Sequence, residues 1–170
     1  MKRVLILDTE TTGLDPATDT VVEVASILYS VTHATVLAAY SSLVRAEGNA
    51  AEAVNRIPPA ALAAAPSAAA VWASIQATAE HADAILAHNA SFDRSFAPPE
   101  IRDIKPWICT KDDLQWPKQT RPSPSLAVIR GGLLDRCAQP EPHPGTLTRH
   151  GWAAFAVVLA VIAAGYVAAV

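Results

Sequence analysis

Four apolar residues in a row, Val4-Leu5-Ile6-Leu7, run directly into Asp8-Thr9-Glu10-Thr11-Thr12-Gly13-Leu14-Asp15-Pro16. The apolar run reads as a short buried β-strand, and side chains i and i+2 of a strand point to one side of its sheet. Asp8 and Glu10 therefore project together from the strand's carboxyl end, where ligand sites of α/β sheets gather. Two neighbouring carboxylates repel unless a positive charge lies between them, and hard oxygen donors of this kind suit Mg²⁺ or Mn²⁺. The plainer reading is a strand that ends in solvated acids before a Thr-Thr-Gly turn.

A second apolar strand repeats the pattern in Ala84-Ile85-Leu86-Ala87-His88-Asn89-Ala90-Ser91-Phe92-Asp93. Asn89 or Ser91 is suited to cap the helix expected there. That places Asp93 in or near the first turn, where the helix dipole favours an acid; alone, Asp93 is only a helix-start charge. Taken as an ordered pair, DTETTGLDP and AHNASFD resemble the first two exonuclease motifs of the DnaQ-like (DEDD) 3′→5′ exonuclease superfamily. These are the proofreading subunits of DNA polymerases and their relatives. The resemblance runs over about residues 1–126.

The resemblance implies a ribonuclease H-like α/β fold and two-metal hydrolysis of a phosphodiester at a nucleic-acid 3′ end. Two Mg²⁺ or Mn²⁺ ions roughly 3.5–4 Å apart would clamp the scissile phosphate. Asp8, Glu10 and Asp93 are the implied ligands, with Asp8 bridging. Leu14 is the implied wedge against the terminal base, and Thr11, His88 and Asn89 are implied substrate-positioning residues. Single-stranded ends are the implied substrate, DNA favoured over RNA, and a polymerase is the implied partner. The family also supplies a fourth carboxylate and a general base from a third motif, His-x4-Asp or Tyr-x3-Asp.

That third motif is absent as written. After Asp93 the aspartates are Asp103, Asp112, Asp113 and Asp135. The residues five before them are Pro98, Trp107, Ile108 and Arg130; those four before are Pro99, Ile108, Cys109 and Gly131. His150 is the candidate base, but Phe155 stands where its acid belongs, and His143 is followed at that offset by Thr148. Asp135 and Glu141 are the nearest acids that could substitute. Two further readings stand beside the enzyme: from the gap, an inactive module that binds nucleic-acid ends or a polymerase; from the apolar residues 151–170, a membrane-anchored member of the family.

The remaining chain is read for organisation. Strands are expected at 3–8, 20–30 and 34–44, the last two a hairpin around Thr32-His33, and close spacing favours an antiparallel meander. Residues 45–66 are expected to be a Pro-containing connection. Ser67 caps a helix over 68–82 with Val71, Trp72, Ile75 and Ala79 on one face. Strands at 84–88 and 107–110 bracket the Asp93 helix, and a further helix is expected near 126–129. The sum is a mixed five-stranded sheet flanked by helices. Glu23 could reach the site from its strand, but is expected to face solvent.

Hydrophobic residues make up 51% of the 170 and charged residues 17%, which excludes a disordered chain. The net charge of −3 argues against a broad basic groove, though not against a site where metals neutralise phosphate locally. Cys109 and Cys137 lack zinc-like spacing and are expected to be reduced thiols. Met1-Lys2-Arg3 leads straight into the first strand without a signal peptide, which points to a cytoplasmic protein. Residues 1–150 read as the exonuclease domain. Residues 151–170 carry no charge and are apolar all round, long enough to span a bilayer. A frameshifted gene end, a membrane tail and a buried last helix are the three readings of that segment. The frameshift accounts for the missing motif and the missing amphipathicity together.

Overall fold

The computed structural model describes residues 1–113. Their elements are β1 (Arg3–Thr11), β2 (Val21–Ser30), β3 (Thr35–Leu43), α1 (Glu52–Asn55), α2 (Pro59–Ala63), α3 (Ala68–Ala79), β4 (Ala84–Ala87), α4 (Ala90–Phe96), α5 (Pro99–Arg102) and β5 (Trp107–Cys109). The strands form one sheet in the order β3-β2-β1-β4-β5. Close connections make β1, β2 and β3 an antiparallel meander. The longer crossover through α1, α2 and α3 returns β4 parallel to β1, and α4 and α5 return β5 parallel to β4. This is the mixed, helix-flanked sheet that the sequence led us to expect.

Central position explains why β1 is apolar on both sides. Leu5 and Leu7 enter a layer with Val24, Leu28 and Ile85, covered by Val71, Ile75 and Ala79 of α3 and Ile101 of α5. Val4 and Ile6 point to the opposite face with Ala25, Ile27, Tyr29 and Leu86. Helix α3 begins as predicted, with the Ser67 hydroxyl accepting from the Ala70 N–H at 3.3 Å. Its buried stripe at Val71, Ile75 and Ala79 follows the helical period. Trp107 packs against the same layer and donates from its indole to the Arg102 carbonyl at 3.1 Å.

Two local features differ from expectation, the helices within the connection over 45–66 and the short α5. The connection over 45–66 contains α1 and α2; α2 starts on the Pro58-Pro59 pair, proline's fixed φ suiting a first helical turn. The hairpin turn spans Val31–Ala34, around Thr32-His33 as expected, and Ala34 takes a left-handed φ of 48°. Pro98-Pro99 likewise opens the short α5. Among the described residues no helix is long and apolar enough to cross a membrane. The helix expected near 126–129, His150, the boundary at 150 and the three readings of 151–170 all lie outside the described residues.

Ile75 is fully buried between α3 and the sheet. Ile75→Ala should cost about 2–5 kcal/mol, the lost transfer energy plus the cavity left behind. Urea unfolding checks this, and a loss below about 1 kcal/mol would mean that α3 is not the core helix described.

Candidate active site

Strand β1 does not end at Asp8 but continues to Thr11. Asp8 and Glu10 extend the alternation of Val4 and Ile6, so both lie on the face opposite α3. The register sets Asp8 across from Ala25 and Glu10 across from Glu23. Glu23 is only 2% exposed, which overturns the expectation that it faces solvent. The reason is that β2 is buried along its whole length, on both faces. An acid inside the apolar run Val21-Val22-Glu23-Val24-Ala25 was the signal available in the sequence. Directly opposed like charges destabilise a sheet. The Glu23 Oε1 accepts from the Ser41 hydroxyl at 3.1 Å.

Asp93 arrives from another direction. Strand β4 pairs with β1 through Ile6 and Leu86 and ends at Ala87, so β1 outlasts its parallel neighbour. In the space beyond, Asp93 in the first turn of α4 answers the open edge. Its Oδ1 accepts from the Thr9 backbone N–H at 3.0 Å and from the Thr9 hydroxyl at 2.8 Å. Asp93 is 2% exposed, so it is far from a solvated helix-start charge. The structure thus brings Asp8, Glu10, Asp93 and Glu23 to one end of the central strand.

Electrostatics record the crowding. Burial, then the charges of Asp93, Glu10 and Glu23, push the Asp8 carboxyl well above the usual carboxylate range. Burial also pushes Asp93 up to about 7, against the lowering effect of the two Thr9 hydrogen bonds, with Glu10 adding to the rise. Among the described residues no three His, Cys, Asp or Glu side chains stand close enough to enclose one ion. The donor chemistry nonetheless fits a hard divalent cation: carboxylate oxygens only, partly desolvated, and mutually repelling without one.

Above the acids lies a loop built around one carboxylate. Asp19 Oδ1 accepts from the Thr12 hydroxyl and Oδ2 from the Asp15 N–H, each at 3.0 Å. Gly13 passes so close that a Cβ there would sit 2.4 Å from Asp19 Oδ2. Thr11 is buried and donates its hydroxyl to the Gly13 carbonyl. Held this way, the loop leaves Leu14 83% exposed. On the other side, His88 Nδ1 lies 2.9 Å from the buried Thr110 hydroxyl. Asn89 occupies the N-cap position of α4 at φ 66°, but its side chain does not cap the helix, nor does Ser91, which is within it. The Asn89 Oδ1 instead accepts from Lys111 Nζ at 3.5 Å.

Both carboxyl shifts run upward, so the folded protein binds these protons more tightly than the unfolded chain. The resulting penalty is absent below the unfolded carboxylate range near ~4. It grows as pH rises and, for Asp93, is complete above about 7. Without divalent cations, the melting temperature should therefore fall across that window. Asp8→Asn should flatten the fall and raise the melting temperature near ~pH 8; an unchanged profile would remove Asp8 from the centre of the repulsion. Gly13→Ala must expel the Asp19 carboxylate from its two hydrogen bonds, at about 1–3 kcal/mol. Calorimetry of that variant, with no loss of stability, would show that the loop is not built on Asp19.

Comparison with known proteins places these features in a family. Exonuclease X, solved in complex with 5′ overhanging duplex DNA, is 26% identical with a TM-score of 0.65, the match covering 96% of this chain and 93% of that one. Product-bound exonuclease I shares the fold at a TM-score of 0.68 and 16% identity, over 95% of this chain and 43% of its own. E. coli exonuclease I in complex with a dT13 oligonucleotide gives 0.65 and 18%, over 97% and 40%. This chain therefore spans well under half the length of exonuclease I. Among curated proteins, no sequence matches significantly. The profile of the RNase T exonuclease family matches residues 5–116, the stretch that holds the acids, the loop and all of the sheet but the first two residues of β1, and the chain belongs to that exonuclease family.

Proposed function

We propose that this protein is a divalent-metal-dependent 3′→5′ exonuclease acting on single-stranded DNA ends. The observation that carries the reading is the convergence of Asp8, Glu10 and Asp93 at the acid-bearing end of β1, with Asp93 fixed there by Thr9. Exonuclease X bound to overhanging duplex and exonuclease I bound to dT13 support DNA as the substrate class.

In this reading Asp8, Glu10 and Asp93 hold two Mg²⁺ or Mn²⁺ ions, which when bound activate water and stabilise the leaving 3′ oxygen. Asp93 offers Oδ2 to that task, since Oδ1 is engaged by Thr9. Glu23 adds negative charge to the floor of the site and sharpens its demand for a cation. Leu14, held out by the Asp19-centred loop, presses against the terminal base. Thr11 shapes that loop through Gly13, and His88 and Asn89 flank the nucleotide from the β4 side. His150 is the candidate base, without its partner acid in the sequence.

That gap favours a second reading, a module that binds 3′ ends without turnover. Polymerase partnership rests on the resemblance alone and membrane anchorage on residues 151–170; neither belongs to the proposal.

Oligonucleotides labelled at either end, incubated with the full chain and Mg²⁺, separate these readings. The expected result is immediate release of the 3′-terminal nucleotide, abolished by EDTA. Asp8→Ala should lower the rate at least about a hundredfold, since losing a charged ligand costs several kcal/mol and each ~1.4 kcal/mol is tenfold. Release from the 5′ end, or full activity in Asp8→Ala, would defeat the assignment. Tight binding of the oligonucleotide by wild type with no release would select the second reading.

A further inference from the structure

Helix α1 is an anomaly as a piece of folding. It has four residues, no side-chain cap at its start, and a non-glycine C-cap, Arg56, at φ 64°. A helix of this length does not sustain itself, and a left-handed non-glycine residue adds about 1–2 kcal/mol of cost. Its one large apolar residue, Val54, is 81% exposed. The residue it buries is polar: Asn55, at 2% exposure.

Asn55 is fully engaged. Its Oδ1 accepts from Asn49 Nδ2 at 2.8 Å and from the Ile57 N–H at 3.1 Å. Its Nδ2 donates to Asn49 Oδ1 at 3.4 Å and to the Thr11 carbonyl at 3.1 Å. Asn49, 9% exposed, is tied down in turn by the Ile57 carbonyl at 2.8 Å and the Ala51 N–H at 3.1 Å. All but one of these bonds are local, within residues 49–57. The exception crosses the molecule to the residue next to Glu10.

The far end of that bond coincides with a break in the sheet. Pairing of β1 with β2 slips between Glu10, opposite Glu23, and Thr11, opposite Val21. Val22 is the extra residue, buried with Ile57 and Leu62 of the same connection. A bulge bends and loosens the ladder, here immediately beside a carboxylate, so an outside anchor is needed to fix the strand's direction.

We propose that Asn55, braced by Asn49, is a positioning residue of the exonuclease site, an inference that rests on the function proposed above. Through the Thr11 carbonyl it fixes the end of β1, and so the aim of Glu10 and the start of the loop that carries Leu14. The bonds to Asn49 and Ile57 already call for a polar side chain; an amide is required because the same group must also give the Thr11 carbonyl a donor.

The test uses the full chain with Asn55→Ser, Asn55→Ala, Asn49→Ala and the Asp8→Ala control. Serine can still accept from the Ile57 N–H, as short hydroxyls do in turns, but does not reach Thr11. Mn²⁺ affinity is measured by electron paramagnetic resonance, and kcat and KM on a single-stranded oligonucleotide, each per mole of cooperatively melting protein. Asn55→Ser should weaken Mn²⁺ binding about tenfold and lower kcat by about ten- to a hundredfold, the loss that a displacement near ~1 Å produces. KM should stay within about threefold, because the loop that carries Leu14 keeps its own bonds to Asp19. Asn49→Ala should show the same split in smaller measure. Asn55→Ser and Asn55→Ala that melt lower yet bind Mn²⁺ and turn over like wild type would overturn the proposal. Should both fail to fold, Asn49→Ala decides by the same comparison. If Asp8→Ala is silent while the Asn55 variants are intact, the positioning role alone falls; if Asp8→Ala matches wild type, the exonuclease reading fails and this role with it.

Discussion

The acid-bearing end of the sheet depends on the two hydrogen bonds from Thr9 to Asp93. They stand where β4 has stopped and β1 has not, so a carboxylate takes the place of a neighbouring strand. Each such charge-assisted bond contributes about 1.5–3 kcal/mol, and together they fix the start of α4 against the central strand. Desolvation works the other way, and in Asp93 it wins, since its carboxyl is raised rather than lowered. The helix is therefore held by a group whose charged form the site resists. That is a stable arrangement only because the packing of Phe96, Ala97 and Ile101 against the core secures the same segment independently.

Much of the fold was legible because its elements announce themselves by period. Val4–Leu7 and Ala84–Ala87 are apolar runs between polar breaks, Ser67 caps a helix with a clean stripe, and the close spacing of β1, β2 and β3 leaves room only for an antiparallel return. What escaped notice was short or externally imposed. Helices α1, α2 and α5 have too few residues to show a period; prolines start two of them and a tertiary contact holds the third. The length of β1 escaped for a related reason. Thr9 and Thr11 are polar in sequence but buried by partners elsewhere in the chain.

The site divides in the same way. Asp8 and Glu10 follow from strand alternation, whereas Asp93 is legible only through the resemblance of the paired motifs, since its place at a helix start alone reads as a charge suited to the helix dipole. Glu23 departs from expectation because the chemistry of one acid in an apolar strand suggests solvent, although a strand second from the edge of a sheet has no solvent face when both sides are covered. The contribution of Asn55 could not be read from sequence at all. Its meaning lies in an amide that meets the Thr11 carbonyl, which only the folded chain brings together.

The slip in pairing at Val22 also bears on how such a site diversifies. Below it, each strand's own packing decides which residues of β1 and β2 face the core. Above it, the segment from Thr12 to Thr20 leaves a ladder that is already out of step, so residues gained or lost there reshape the rim without inverting the alternation beneath. The bulge separates a floor that cannot shift by one residue from a border that can. Variation in the reach of the rim is then open to the chain while the acids below keep their places.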